Sequence, residues 1–201
     1  MEKPAETAYP LHDVIRRRWS PRAFSPQPVE KEKLGALLEA ARWAASSRNE
    51  QPWRLLVADK TADATDTGAH AKLAACLTVG NQPWAPVAPV LILVSTFPKF
   101  AHNGANNPHA WYDCGLAIGN LTTQATASGL WLHQMAGFDA AKAKAAFALP
   151  EDWQPIAVLA IGYQGDPQEL AEQRRTQELA PRTRKPLAEI AFNGTPTLGW
   201  Q

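Results

Sequence analysis

The chain has 201 residues, of which 45% are apolar and 19% are charged, so it can bury a substantial core and is expected to form one domain, residues 1–201. Its 20 Lys and Arg residues nearly balance 19 Asp and Glu residues, which argues against nucleic acid or an anionic membrane as a partner. Two cysteines are too few for a disulfide framework, no apolar run reaches the roughly 20 residues of a membrane span, and residues 1–10 carry no leader-like apolar core, so we expect a soluble, unprocessed cytoplasmic protein.

The first half of the chain predicts two helices, a strand, a third helix and a buried strand. Apolar residues at positions i, i+3 and i+4 predict helices over residues 10–18 and 28–45. Residues 53–58 then predict a strand and residues 72–79 a helix. Residues 87–95 are nearly all apolar and are bounded by prolines, which is typical of a strand that is buried on both faces.

A long loop and a central helix follow the buried strand. Residues 97–109 are rich in Asn, Gly and Pro and have no apolar period, which predicts an exposed, functional loop that we interpret as a lid. Asn107 and Pro108 supply an N-cap and a first-turn proline for the helix. Gly115 and Gly119 lie in its interior, where each glycine costs about 1 kcal/mol, so we expect another backbone or a ligand to approach there.

The second half of the chain predicts a short strand over residues 129–132, an alanine-rich helix over 139–149 and an apolar strand over 155–163. Residues 164–201, the C-terminal segment, are polar and interrupted by prolines, with one strand-like piece at 187–192. This segment cannot build its own core, so we expect an arm that lies on another surface. Helices and strands that alternate without internal repeats predict one α/β or α+β domain, although their order does not give the topology.

Common catalytic motifs are absent from the sequence. Neither the Gly-x-Gly-x-x-Gly string of dinucleotide folds nor the P-loop string occurs, and Gly-x-Ser-x-Gly and His-Glu-x-x-His are missing too. The five histidines have no metal-ligand spacing, so we expect no metal site. The usual catalytic machinery is therefore missing from this chain.

Two basic segments lie near the ends of the chain. One contains Arg18, Ser20 and Arg22, and the other contains Arg182 and Arg184 at positions i and i+2, which point to one side of an extended chain. Guanidinium groups bind phosphate oxygens in a bidentate manner, and a serine hydroxyl adds a further hydrogen bond. Either segment alone would also suit a solvated basic surface.

Two further segments combine short polar residues with special backbone residues. Residues 45–53 read Ala-Ser-Ser-Arg-Asn-Glu-Gln-Pro-Trp, between a predicted helix and a predicted strand. Residues 134–139 read Gln-Met-Ala-Gly-Phe-Asp, and a glycine there permits a ligand to approach the backbone closely. Ordinary turns would explain both segments as well.

Taken together and in this order, the four segments resemble the motifs of the nitroreductase family over nearly the whole chain. The resemblance implies an α+β, three-layer fold with a mostly antiparallel central sheet flanked by helices. It also implies a homodimer that binds FMN at the subunit interface, with a C-terminal arm that reaches the partner subunit. Trp19 stands where the family usually has a second arginine, and Ala136 stands where some members have an acidic residue.

By the same resemblance, twelve residues contact FMN, and Ser46, Ser47 and Asn49 do so across the dimer interface. Hydroxyl and amide groups can satisfy ring and ribityl oxygens without adding charge. The implied cofactor-binding residues are Arg18, Trp19, Ser20, Arg22, Ser46, Ser47, Asn49, Gln51, Ala136, Gly137, Arg182 and Arg184.

The family's chemistry belongs to the flavin, so no catalytic side chain is implied. NAD(P)H and a small acceptor, such as a nitroaromatic, a quinone, an enone or an activated carbonyl compound, are expected to use one face of FMN in turn, which gives ping-pong kinetics. Phe100, Trp111 and Tyr112 are candidate stacking residues in the substrate pocket. The alternatives are a non-redox flavin carrier or sensor, or a flavin-destroying or dehydrogenating relative on the same fold.

Overall fold

The computed structural model describes residues 1–62 and 68–200, so residues 63–67 and 201 of the predicted domain lie outside it. Its helices and strands follow the predicted order, with one additional helix near the C-terminus. They are α1 Asp13–Arg17, α2 Lys31–Arg42, β1 Trp53–Asp59, α3 Ala69–Ala74, β2 Val90–Thr96, α4 Ala110–Ala127, β3 Trp131–Met135, α5 Ala140–Ala146, β4 Gln154–Gly162 and α6 Glu172–Leu179.

The strands form one antiparallel sheet in the order β1-β2-β4-β3. Successive side chains of a strand point to opposite faces of its sheet. Val90, Ile92 and Val94 accordingly enter a core shared with α2 and α4. Leu91 and Leu93 enter a second core, on the side of α3 and α5. Because helices cover both faces, the apolar run of β2 is buried throughout, and the predicted three-layer α+β fold is confirmed.

The structure corrects the predicted start of the central helix. Its N-cap is His109, so α4 begins two residues after the expected first-turn proline. Asn107 is fully buried and closes a turn just before the helix, where its side-chain oxygen accepts a hydrogen bond from the His109 N–H at 3.1 Å. The prediction recognised a real turn-forming asparagine but placed the start of the helix two residues too early.

The C-terminal segment also differs from its prediction. The strand-like piece contains a short 3₁₀ helix, Leu187–Glu189, and α6 was not predicted. The sequence of α6 has no apolar period because its one buried side chain is an acid, Glu178. The third helix is shifted as well, because α3 ends at Ala74 and Leu77 pairs with Phe138 instead. Within the described residues, no helix combines the length and apolar character that crossing a bilayer requires.

Candidate functional site

The two basic segments meet in one pocket of about 220 Å³, here called the basic pocket. Residues 18–24 run beside the end of β4, where the Gly165 N–H donates to the Ala23 carbonyl at 2.9 Å and Phe24 pairs with Gln164. The chain then returns through α6 to bring the second basic segment to the same place. Six predicted residues line the pocket: Arg18, Trp19, Ser20, Arg22, Arg182 and Arg184.

Like charges crowd this pocket. Burial lowers the pKa of Arg18, and the neighbouring charges of Arg182 and Arg184 lower it further. Burial and Arg184 likewise lower the pKa of Arg182. Burial is also the main cause of the lowered pKa of Arg22, which Glu178 partly opposes. An anion that binds such a cluster stabilises it by relieving the repulsion between like charges, and guanidinium groups bind phosphate oxygens particularly well.

The one carboxylate among the described residues of the basic pocket is Glu178, which is 1% exposed. Its two oxygens accept hydrogen bonds from the Arg22 N–H at 2.9 and 3.0 Å, and one of them also accepts from the Ala23 N–H at 3.1 Å. This acid therefore fixes the backbone of the first basic segment. Sequence patterns could not indicate this role, because the partners of Glu178 lie about 155 residues earlier in the chain.

Trp19 belongs to the core as well as to the pocket wall. Its ring is 6% exposed and meets Trp131 edge to face, with ring centroids 5.8 Å apart. Its indole nitrogen is buried and has no hydrogen-bond partner in the part of the chain that the structure describes. At the position of the family's second arginine, this chain therefore has an apolar wall with one unpaired donor.

His133 holds the backbone of the first basic segment through a hydrogen bond to Pro21. Its Nδ1 lies 2.9 Å from the Pro21 carbonyl oxygen, so the neutral ring donates there, and its ring centroid is 4.7 Å from that of Trp84. Burial, with a smaller contribution from the charges of Arg22 and Arg174, lowers the pKa of His133 to about 4. The sequence prediction tested histidines only as metal ligands and missed this role.

We expect His133 to make the folded state less stable in acid. The unfolded chain binds a proton near pH 6.5, whereas the folded chain does so only near pH 4, so stability falls as the pH drops through this window, by about 3 kcal/mol in all. Urea unfolding between pH 7 and 4 measures the loss. The His133→Gln variant should flatten this dependence, and an unchanged slope would contradict the assignment.

A second group of predicted residues forms the loop 46–51 between α2 and β1. Arg48, Asn49 and Gln51 have φ angles of 54°, 56° and 50°, a left-handed conformation that is uncommon outside glycine and tends to occur at functional sites. Ser46 Oγ accepts from the Gln51 N–H at 3.0 Å, and the Gln51 side chain donates to the Asn49 carbonyl at 3.0 Å. These hydrogen bonds hold the strained loop in place.

Helix α4 anchors this loop through Asp113, a residue that the sequence did not single out. Asp113 is 3% exposed, and its Oδ2 accepts from the Ser47 N–H at 3.0 Å. A pocket of about 280 Å³ lies between the loop and α4, and Ser46, Ser47, Tyr112 and Asp113 are among its lining residues. We call it the loop pocket.

The three predicted stacking residues take different places. Tyr112 lines the loop pocket. Phe100 lies beside the same loop, with the Arg48 guanidinium 5.6 Å from its ring centroid. Trp111 is exposed on α4 and lines neither the loop pocket nor the basic pocket. Two of the three aromatic residues thus lie around residues 46–51.

Gly137 is held by the turn at residues 78–81. Its carbonyl accepts from the Thr78 N–H and the Asn81 side chain, both at 3.0 Å. An added Cβ would lie 2.7 Å from Asn81 Nδ2 and 2.8 Å from Thr78 Oγ1, so both side chains would have to shift to admit it. The Ala136 carbonyl accepts from the Phe138 N–H at 3.0 Å, which fixes the orientation of the Gly137 N–H. Neighbouring side chains already account for this glycine without a ligand.

The sequence of this chain is similar to those of known proteins. The sequence model of the nitroreductase family matches residues 15–163. A Streptomyces coelicolor relative named as a putative NADH dehydrogenase/NAD(P)H nitroreductase is 28% identical over 186 residues, which cover 82% of this chain and 86% of that protein.

Two solved structures share the fold. One, described as an oxidoreductase containing FMN, is 34% identical, with a TM-score of 0.87 and 94% of each chain covered. The other is described as a putative nitroreductase from Desulfovibrio desulfuricans in complex with FMN. It is 27% identical, with a TM-score of 0.71, and the similarity covers 94% of this chain and 99% of that one.

Proposed function

Because the chain belongs to the nitroreductase family, we propose that it is an oxidoreductase that passes hydride from NAD(P)H through FMN to a small electrophilic acceptor. The name of the Streptomyces coelicolor relative and the FMN in two similar structures support this proposal. The observation that carries it is the basic pocket. Arg18, Arg182 and Arg184 lie close together there, and the one carboxylate of the described lining already accepts hydrogen bonds from the backbone.

The residues of this chain fit FMN. Arg18, Arg22 and Arg184 would bind the phosphate, and the crowding that lowers the pKa of Arg18 would be relieved by a dianion. The indole N–H of Trp19, which has no partner among the described residues, and the Ser20 hydroxyl are further donors in the pocket wall. When bound, FMN supplies reversible hydride transfer, so no side chain of this protein has to act as an acid or a base.

The loop 46–51 would contact the uncharged part of the cofactor. Ser46, Ser47, Asn49 and Gln51 offer neutral donors and acceptors, and their backbone is held rigidly by internal hydrogen bonds and by Asp113. Tyr112 and Phe100, beside this loop, would orient an aromatic or conjugated acceptor by stacking. Trp111, exposed one residue away on α4, remains a candidate for the same role.

We further propose a homodimer in which the loop of one subunit completes the basic pocket of its partner. Among the described residues of one chain, no residue lines both the basic pocket and the loop pocket. The outer face of α4 is open, because a Cβ added at Gly115 or Gly119 would meet nothing within 4 Å. A two-fold axis along this face would let a second copy of α4 approach closely.

Residues 187–200 of the C-terminal segment would lie on the partner. They fold on themselves, since the Trp200 N–H donates to the Ala191 carbonyl at 2.9 Å. Their large apolar side chains are nevertheless exposed to solvent in the single chain. These side chains are Leu187, Ile190, Phe192, Leu198 and Trp200.

Deleting residues 187–201 is expected to raise the dissociation constant of the dimer at least tenfold, because the deletion removes the apolar side chains that would pack on the partner. The deletion spares Arg182 and Arg184, so FMN binding at high protein concentration should survive. Sedimentation velocity over a dilution series measures the dissociation constant. The control is Val79→Ala, which changes an exposed apolar residue outside this segment. Equal dissociation constants for the unmodified protein, the deletion variant and this control would show that the C-terminal segment does not hold the dimer together.

Steady-state kinetics test the reaction itself. Because NAD(P)H and acceptor use the same site in turn, double-reciprocal plots at several acceptor concentrations should be parallel. A panel of nitroaromatics, quinones, enones and activated carbonyl compounds would then identify the acceptor class. Intersecting lines with every active acceptor would require both substrates to bind together and would overturn the ping-pong proposal.

A further inference from the structure

The N-terminal residues contribute a fifth cation to the basic pocket. Lys3 is one of the residues that line it. In the sequence, a predicted helix separates Lys3 from Arg18, and Lys3 belongs to no recognised motif. Its ammonium nitrogen is 4.6 Å from the centroid of the Trp19 ring, in the pocket wall. Lys3 is half-buried in this position.

Several contacts fix Lys3 in place. Its ammonium group donates to the Glu178 carbonyl at 2.7 Å and also to the Ala180 carbonyl, both at the C-terminal end of α6. In return, the Lys3 carbonyl accepts from Arg182 at 2.7 Å. The Ala5 N–H donates to the Arg16 carbonyl at 2.8 Å, which holds the next residues against α1. The N-terminal segment is therefore attached to both basic segments at once.

The electrostatics of Lys3 match those of its neighbours. Burial lowers its pKa, Glu178 raises it, and Arg182 and Arg22 lower it again. In the described part of the pocket lining, five cationic side chains thus lie with one carboxylate, and the oxygens of that carboxylate already accept from backbone N–H groups. An ammonium group has three donors, and among the described residues two carbonyls accept from two of them, which leaves the third N–H for a ligand.

We propose that Lys3 is a phosphate-binding residue of the basic pocket and makes it select the phosphorylated flavin over riboflavin. This inference rests on the proposed function, since it assigns the pocket to the phosphate of FMN. A purely structural Lys3, serving only to cap α6, would affect both flavins equally.

Titrations of the flavin-free full-length protein with FMN and with riboflavin, followed by flavin fluorescence, distinguish these roles. Lys3→Met removes the charge but keeps an unbranched stem over Trp19. We expect it to weaken FMN binding by roughly 5- to 20-fold, as for the loss of one partly exposed charge pair, and to leave riboflavin binding within about twofold. Lys3→Arg should restore FMN binding. Lys185→Met is the matched control, because Lys185 is exposed and lies outside the pocket lining.

Unchanged FMN affinity in Lys3→Met, or equal losses for FMN and riboflavin, would overturn the role of Lys3 while leaving the proposed function intact. If the unmodified chain binds neither flavin, the proposed function fails instead. Thermal unfolding with inorganic phosphate would then decide about Lys3. Stabilisation of the unmodified chain that exceeds that of Lys3→Met supports the assignment, and equal or absent stabilisation refutes it.

Discussion

The protein with both Arg22 and Arg184 replaced by alanine is expected to be purified without FMN. Each arginine would contribute a charge-assisted hydrogen bond to the phosphate, worth about 1.5–3 kcal/mol, so the pair should weaken binding by roughly 10²- to 10⁴-fold. The two residues come from opposite ends of the chain and line the same pocket. The visible absorption of the purified protein and a titration with FMN measure the effect.

The control removes the same charge from the same region. Arg175 and Lys185 lie outside the lining of the basic pocket, so the Arg175→Ala, Lys185→Ala double variant should keep its FMN. Far-UV circular dichroism of each protein shows whether the fold is intact. Stoichiometric FMN in the folded Arg22, Arg184 variant would mean that the phosphate binds elsewhere.

Replacing Glu178 with alanine is expected to reduce the free energy of unfolding by about 2–4 kcal/mol. The carboxylate is 1% exposed and accepts from the Arg22 and Ala23 N–H groups, which would lose a charged acceptor. Its loss would also leave the surrounding cations without the one carboxylate that the described residues supply to the pocket lining. Urea unfolding of the flavin-free protein measures the change.

Glu172→Ala is the matched control for this variant, because Glu172 lies on the same helix and is exposed. We expect its effect to stay within about 0.5 kcal/mol. A loss for Glu178→Ala that is no larger than the control's would show that this acid does not anchor the first basic segment.

The residues changed in these two variants differ in how well the sequence predicts their roles. Arg22 and Arg184 were found because they belong to motifs that can be recognised in a single sequence. Glu178 was not, because its function depends on backbone groups about 155 residues away. The roles of His133 and Lys3 could not be predicted for the same reason, because their hydrogen-bond partners, Pro21 and the end of α6, are distant in the sequence.

The helices and strands also differ in how well the sequence predicts them. The strand β2 was predictable because apolar residues on both faces imply burial between two layers, and the structure places α2 and α4 on one side and α3 and α5 on the other. Helix α6 was not, because it packs through an acid and leaves Leu179 half exposed. Asn107 was recognised as a turn former, but only the fold determines that α4 begins after the turn it closes.

Gly137 changed its meaning once the structure was known. The sequence suggested that a glycine was needed for a cofactor to approach, whereas the Asn81 and Thr78 side chains already fill the space of a Cβ. The contact of its N–H with the flavin therefore stays a prediction. The same holds for the contribution of Ser46, Ser47 and Asn49 across a dimer interface.

The most direct test of the central claim is anaerobic reduction of the FMN-loaded protein with NADH or NADPH, followed by visible absorption. The account predicts that the oxidised flavin bands bleach within seconds to minutes with at least one nicotinamide, and that an added quinone or nitroaromatic restores them. Bound flavin that stays oxidised with both nicotinamides would contradict the reductase function and would favour a non-redox flavin carrier or sensor.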